Sequence, residues 1–297
     1  MTDPAGEFAG QRALVDAALG ALAERETRAL ADPAGDAIRY SLAGGGKRLR
    51  GVLFLASYRA AGGRGDAAEL AAAIEVVHAY SLVHDDLPCM DDDDMRRGRP
   101  TVHRAYGVAV ATAAGVAMVP LAARAAARAG RAMGLSPAVC ARIVEELMRA
   151  SGAGGMVGGQ LLDLEGEGRS HTLAELERIH RAKTGALIAA AVTLGGLAAG
   201  AGPERTAALE RFGTCVGLAF QIADDVLDVT ATTDQLGKTA GKDVAYGKTT
   251  YPALLGVDGA VAKADALVAD ACAALAGAGM LSPELERLAR FIIARRS

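Results

Sequence analysis

Residues 66–88, DAAELAAAIEVVHAYSLVHDDLP, read as one long helix that Pro88 must stop. Leu, Ala, Val and Ile fill the segment, and the apolar-polar alternation of a half-buried strand is missing from it. His78, Ser81 and Asp85 fall at i, i+3 and i+7, so one face carries polar groups toward the C-terminal end. On that face His78 suits a hydrogen-bonded core role and a ligand-facing role equally well. The rest of the chain repeats this composition, with few aromatics and no Trp, which points to an all-α fold.

The helix runs into His84–Thr101, where an alanine-rich sequence concentrates Asp85, Asp86, Asp91, Asp92, Asp93 and Asp94, followed by Arg96, Arg97 and Arg99. A charge run is commonly a solvated loop. It also suits a hard divalent cation, because Mg²⁺ takes oxygen ligands and joins proteins through one or two carboxylates plus substrate phosphates. The arginines then suit the anion that arrives with the metal. Far downstream, Asp224, Asp225 and Asp228 lie in an apolar segment where unpaired charge is costly. Asp224 and Asp228 share a helix face, with Gln221 one turn earlier. Two clusters that each begin Asp-Asp imply one shared polymetal site.

A chain of 297 residues can bury a large core, and no boundary-like linker divides it, so a single domain is expected. The net charge of -3 argues against a sequence-blind nucleic-acid binder. Cys89, Cys140, Cys215 and Cys272 form no Cys-x-x-Cys pair and read as reduced core residues of a cytosolic protein. The N-terminus lacks the basic and apolar regions of a signal peptide. Two uncharged runs, Ala105 to Ala123 and Thr184 to Pro203, reach membrane-spanning length, but Ala, Gly and Thr dominate them and they read as buried core helices.

In chain order, a first amphipathic helix is expected over Phe8 to Ala31, with Leu14, Ala18, Ala21 and Leu22 as its apolar stripe. Gly44-Gly45-Gly46-Lys47-Arg48-Leu49-Arg50 precedes another helix, and its free N–H groups with Lys47 and Arg50 make a candidate phosphate pocket. Gly237-Lys238-Thr239 and Gly247-Lys248-Thr249 carry the ending of a P-loop, but the earlier glycine falls on Thr232 and Lys242, so both fail the spacing. Gly152 to Gln160 is glycine-rich, a pattern that more often marks loops or close backbone contact than a phosphate cradle. Thr101 can cap the helix that follows it, Ser136-Pro137 and Ser282-Pro283 open two more, and Thr172 to Glu175 forms a capping box. Lys183 is the last charge before a long apolar run, either a helix-end cation or a group over a cavity. Thr230 to Thr250 has the polar, Gly- and Lys-rich composition of a lid over a charged ligand.

Together these stretches resemble the trans-isoprenyl diphosphate synthases, the polyprenyl synthetase family. Asp85-Asp86 with Asp91 is similar to the first aspartate-rich motif in its longer, bacterial-type spacing, and Asp224-Asp225 with Asp228 to the second. Gly44 to Arg50, Arg96-Arg97-Gly98, Lys183-Thr184-Gly185, Phe220-Gln221 and Gly247 to Pro252 extend the resemblance across most of the chain.

The resemblance implies an isoprenoid-synthase-type helical bundle around a deep central cavity, a homodimer, and Mg²⁺, with Mn²⁺ also compatible, held by Asp85, Asp91 and Asp224. Asp86, Asp225 and Asp228 would support those ligands. It assigns Arg96, Lys183, Thr184, Gln221, Lys238 and Lys248 to the diphosphate of an allylic substrate, and Lys47, Arg50, His78 and Arg97 to isopentenyl diphosphate. Of these, Asp85, Asp91, Arg96, Lys183, Asp224 and Lys238 would be catalytic. Tyr80, five residues before Asp85, and the small Ser81 would set product length, which implies farnesyl diphosphate with geranylgeranyl diphosphate as the alternative. A class I terpene cyclase would replace the second motif by an Asn/Ser/Glu-type one, and a non-catalytic partner subunit would have an eroded motif. The expected setting is the cytoplasm, with no membrane span and no nucleic acid.

Overall fold

The computed structural model describes residues 6, 8–28, 30, 33–166, 168–230 and 248–294. It is 78% helical with almost no strand, so the fold is all-α. The chain forms two compact units, Met1–Leu55 with Arg64–Glu145, and Ala56–Gly63 with Glu146–Ser297.

The first unit contains α1 (Ala9–Thr27), α2 (Ala34–Ala43), the start of α3 (Leu49–Ala60), α4 (Ala68–Asp85), a two-residue ladder of β1 (Met95–Arg96) and β2 (Arg99–Pro100), α5 (Val102–Tyr106), α6 (Val108–Ala132) and the start of α7 (Pro137–Ser151). α4 is its centre: Leu70, Ala71, Ala72, Ala73, Ile74, Val76 and Val77 are all fully buried, and the helix packs on α6 and α1. Each large aliphatic side chain buried this way contributes roughly 1.5–3 kcal/mol. The helix ends at Asp85, before Pro88, as the sequence requires.

α1 corrects the expected stripe. Its buried face is Val15, Leu19, Leu22, Ala23 and Glu26, while Leu14 is 55% exposed. Glu26 ends that face, and its buried carboxylate takes Arg124 and Arg128 from α6. Burial works against that carboxylate, and the arginines outweigh it and hold its pKa below the usual range. Thr101 precedes α5 without capping it, since its hydroxyl turns to His103 Nδ1 at 3.1 Å. Gly107, at φ 86°, then separates α5 from α6 where one helix was expected. Only 39% of the most apolar window of α6 is buried, so the Ala105 to Ala123 run is not a wholly buried helix; among the described residues α6 alone is long and apolar enough to cross a membrane.

The second unit contains α8 (Met156–Glu165), α9 (Leu173–His180), a π-helical turn (Arg181–Gly185), α10 (Ala186–Ala198), α11 (Pro203–Thr230), α12 (Tyr251–Gly277) and α13 (Pro283–Ala294). The Thr184 to Pro203 run becomes α10, buried from Leu187 to Ala198 except at Ala189. α11 lies against it through close backbone contact: a Cβ at Gly213 would stand 2.7 Å from Ala189 Cα. The capping box at Thr172 forms, and Ser136, Thr250 and Ser282 each accept a backbone N–H at a helix start. The glycines of 152–160 serve packing, for a Cβ at Gly159 would fall 2.1 Å from the backbone nitrogen of Lys183. Of the cysteines, Cys140 is buried and Cys89 is exposed, which corrects its placement in the core.

Candidate active site

In the first unit the C-terminal end of α4, the acidic loop and the Gly44–Gly46 turn enclose a concave pocket lined by Tyr40, Arg48, His78, Asp86, Arg96, Arg97 and Arg99 among others. His78 is the polar group at its base. Burial, then the charges of Arg50, Arg97, Arg96 and Arg48, push its pKa well below the ordinary histidine value, so it is a neutral imidazole among cations. Arg50 is buried, with Nε lacking a hydrogen-bond partner among the described residues. Such a convergence of guanidinium groups makes the pocket electropositive, the chemistry that attracts an anion with several negative oxygens.

The loop fixes each arginine. Arg97, at φ 53°, donates from one terminal nitrogen to the carbonyls of Gly44 and Gly45. A Cβ at Gly46 would come within 2.6 Å of that nitrogen, so this glycine admits the guanidinium. Arg96 Nε donates to both oxygens of the buried Asp86 at 2.8 and 2.9 Å, and a terminal nitrogen to Oδ1 at 2.6 Å. Burial raises the Asp86 carboxyl above its usual pKa against the pull of Arg96. Asp91 folds back by donating its N–H to the Asp85 carbonyl at 2.9 Å, which keeps those two residues on one short loop. Lys47 is exposed beside this pocket's glycine turn.

Below the first acidic pair, the Tyr80 ring meets His84 edge-on at 5.0 Å between centroids. His84 Nε2 lies 3.2 Å from the Thr112 carbonyl, and its ring fills the space where a Cβ on Gly115 would be, 2.1 Å from Nε2. Ser81 turns its hydroxyl back to the His78 carbonyl at 2.9 Å. Tyr80 thus rests on His84, which is itself seated against α6, and burial followed by the Asp85 charge raises its pKa.

In the second unit α11 presents Gln221 and Asp224 half-buried and Asp225 and Asp228 buried. Asp225 Oδ2 accepts the Tyr251 N–H at 2.9 Å and so anchors the start of α12. The π-helical turn carries Lys183 and Thr184, a local geometry that re-aims side chains relative to a regular helix. Lys183 and Lys248 both reach Asp163 Oδ2, at 2.6 and 3.1 Å. Burial opposes the Asp163 charge, and the two lysines more than offset it and lower its pKa. Lys238, with the rest of the proposed lid over 231–247, lies outside the described residues.

Among the described residues no group of three or more His, Cys, Asp or Glu is arranged to hold a metal by itself. The donors on the loop, Asp85 and Asp91, are hard oxygens of the kind Mg²⁺ accepts when phosphate oxygens and water complete its shell, so they fit that ion. Sequence reasoning missed Asp163, Arg48 and Glu75. Asp163 follows Gln160 by three residues, a polar pair on one face of an apolar segment, which was the available signal. Glu75, three residues before His78, carried the same signal; it accepts the Gly51 N–H at 2.9 Å under Arg50. Arg99 stacks 4.1 Å over Tyr40, a contact no spacing announces.

The polyprenyl synthetase family model matches residues 33–274. The chain is 46% identical over 272 residues to the farnesyl diphosphate synthase of Escherichia coli (strain K12), covering 89% of each chain. It is 45% identical over 240 residues to geranylgeranyl pyrophosphate synthase 7, chloroplastic, of Arabidopsis thaliana, covering 80% of this chain and 68% of that one. The solved geranylgeranyl pyrophosphate synthetase of Pyrococcus horikoshii superposes with a TM-score of 0.84 at 33% identity over 98% of both chains. An all-helical prenyltransferase is the class that this fold and these residues define. The chain belongs to the polyprenyl synthetase family, whose members condense prenyl units head to tail.

Proposed function

We propose that this enzyme joins an allylic diphosphate, dimethylallyl or geranyl, to isopentenyl diphosphate and releases farnesyl diphosphate. The observation that carries the reading is the pocket of arginines around a neutral His78, which offers charge and hydrogen bonds to a diphosphate. Lys47, Arg50, His78 and Arg97 bind isopentenyl diphosphate. Neutral His78 contributes a hydrogen bond there without adding to the crowded positive charge. Arg96, Lys183, Thr184, Gln221, Lys238 and Lys248 hold the allylic diphosphate, and Asp85, Asp91 and Asp224 hold Mg²⁺ or Mn²⁺ with support from Asp86, Asp225 and Asp228.

When bound, the metal stabilises the negative charge that develops on the leaving diphosphate. Arg96 and the lysines do the same with fixed side chains as the allylic C–O bond breaks and its electron pair passes to the diphosphate. The alkene of isopentenyl diphosphate then forms the new C–C bond, and a proton leaves the neighbouring carbon for the released diphosphate. No side-chain nucleophile is involved. Apolar surroundings keep water from the allylic cation.

Tyr80, braced by His84, supports a short product. The small Ser81 and the 45% identity to the Arabidopsis geranylgeranyl synthase favour a second reading, geranylgeranyl diphosphate. The whole chain works as one polyprenyl synthetase domain, in the cytoplasm and as a homodimer; the exposed Val108 and Val116 on α6 suit burial against a second copy. Purified protein incubated with Mg²⁺, isopentenyl diphosphate and each allylic diphosphate should give a product of fifteen carbons. Twenty-carbon product would establish the second reading, a cyclic hydrocarbon would mark a cyclase, and no turnover would mark a partner subunit.

A further inference from the structure

The ion triad of Asp163, Lys183 and Lys248 has a second layer beneath it. Each of its three members has a polar residue three positions away on the same segment: Gln160 before Asp163, His180 before Lys183, and Tyr251 after Lys248. Four side-chain atoms of that layer, Gln160 Oε1 and Nε2, His180 Nδ1 and the Tyr251 hydroxyl, are buried and have no hydrogen-bond partner among the described residues. The His180 and Tyr251 rings lie 5.6 Å apart between centroids, tilted by 45°. Gly159 brings α8 onto the backbone of Lys183, which sets Gln160 beside the same π-helical turn.

Buried polar atoms are almost always hydrogen-bonded, and an ordered water that satisfies them takes two to four partners. The layer supplies both kinds of group. The Gln160 carbonyl accepts, its amino group donates, the tyrosine hydroxyl does either, and Nδ1 of a neutral imidazole does one or the other. His180 is neutral there, because burial brings its pKa down to about 4 even with Asp163 and Asp224 pulling the other way. We propose that Gln160, His180 and Tyr251 form a binding site for ordered water that ties α8, the π-helical turn and α12 together, and so positions Lys183 and Lys248 around Asp163. The three are positioning residues. Their link to diphosphate binding rests on the function proposed above, whereas the water site does not.

Tyr251→Phe and Gln160→Met each remove hydrogen-bonding atoms with little change in shape. A crystal structure of the full chain at a resolution that shows solvent should place water within hydrogen-bond distance of at least two of the four atoms. Direct bonds among the three side chains instead would overturn the proposal. In thermal unfolding, the double variant should lose clearly less than the sum of the two single variants, because either change dismantles the shared water. Additive losses would refute it. Affinity for inorganic diphosphate with Mg²⁺, read by calorimetry, should fall severalfold in each variant, and unchanged affinity would refute the positioning role. If the unaltered protein bound no diphosphate at all, the proposed function would fall while the density and the mutant cycle still judged the water site.

Discussion

Replacing Asp163 with Asn removes one negative charge and leaves two lysines aimed at the same point. Their ammonium groups sit 2.6 and 3.1 Å from one carboxylate oxygen, so they lie no more than the sum of those distances apart, where Coulomb repulsion at an effective dielectric constant near 20 is at least about 3 kcal/mol. All three side chains keep between 18% and 24% of their exposure, so solvent screening and side-chain relaxation reduce the net destabilisation to about 2 kcal/mol. For a chain of this size that is a fall of roughly 4 °C in Tm. Under the proposed function, a diphosphate bound by these lysines would replace the missing charge. Thermal scans with and without Mg²⁺ and inorganic diphosphate should therefore show a lower Tm for the ligand-free variant and a larger ligand-induced rise than in the original protein. A variant that loses stability without gaining a larger ligand response would refute the idea that Asp163 stands where an anion's charge is wanted.

Asp85→Ala or Asp224→Ala should remove turnover while circular dichroism and Tm stay near those of the original protein, and near-normal activity in either would end the metal assignment. Tyr80→Ala should lengthen the product, read by chromatography of the dephosphorylated alcohols; an unchanged length would place the determinant elsewhere. His180 has a folded pKa of about 4 against 6.5 for an unperturbed histidine, so its contribution is present above pH 6.5 and is lost as pH falls toward 4. That loss is at most about 3 kcal/mol. In His180→Phe the fall in denaturation midpoint across this window should become shallower, with His78 keeping part of the slope, and an unchanged slope would contradict a histidine buried neutral in the folded state.

The helical architecture was legible because it follows from local rules: Pro88 has no N–H to continue α4, Thr172 and Glu175 cap each other, and Ser136 and Ser282 stand before prolines. The buried face of α1 was not legible in the same way. Leu14 and Val15 are equally apolar neighbours, and it is the packing of Val15, Leu19 and Leu22, together with Glu26 meeting the arginines of α6, that turns Val15 inward.

For the candidate site, residue types and spacing drew attention to the paired aspartates, Lys47, His78, Arg96, Arg97 and Lys183, because charge in an apolar chain is conspicuous wherever it lies, while Lys248 came in only through the family resemblance. What each charge does depends on its neighbours in space. Asp86 holds Arg96, Asp225 anchors the backbone of Tyr251, and Asp163 gathers two lysines from segments 20 and 85 residues away. By itself, then, the sequence determined most of the helices, several of their ends and the family chemistry, since those depend on propensity, capping and charge type along the chain. The tertiary structure alone decided which charges pair, which stay buried and neutral, and which glycines admit a neighbouring side chain, because electrostatic and steric energies depend on distances that contacts between remote segments create.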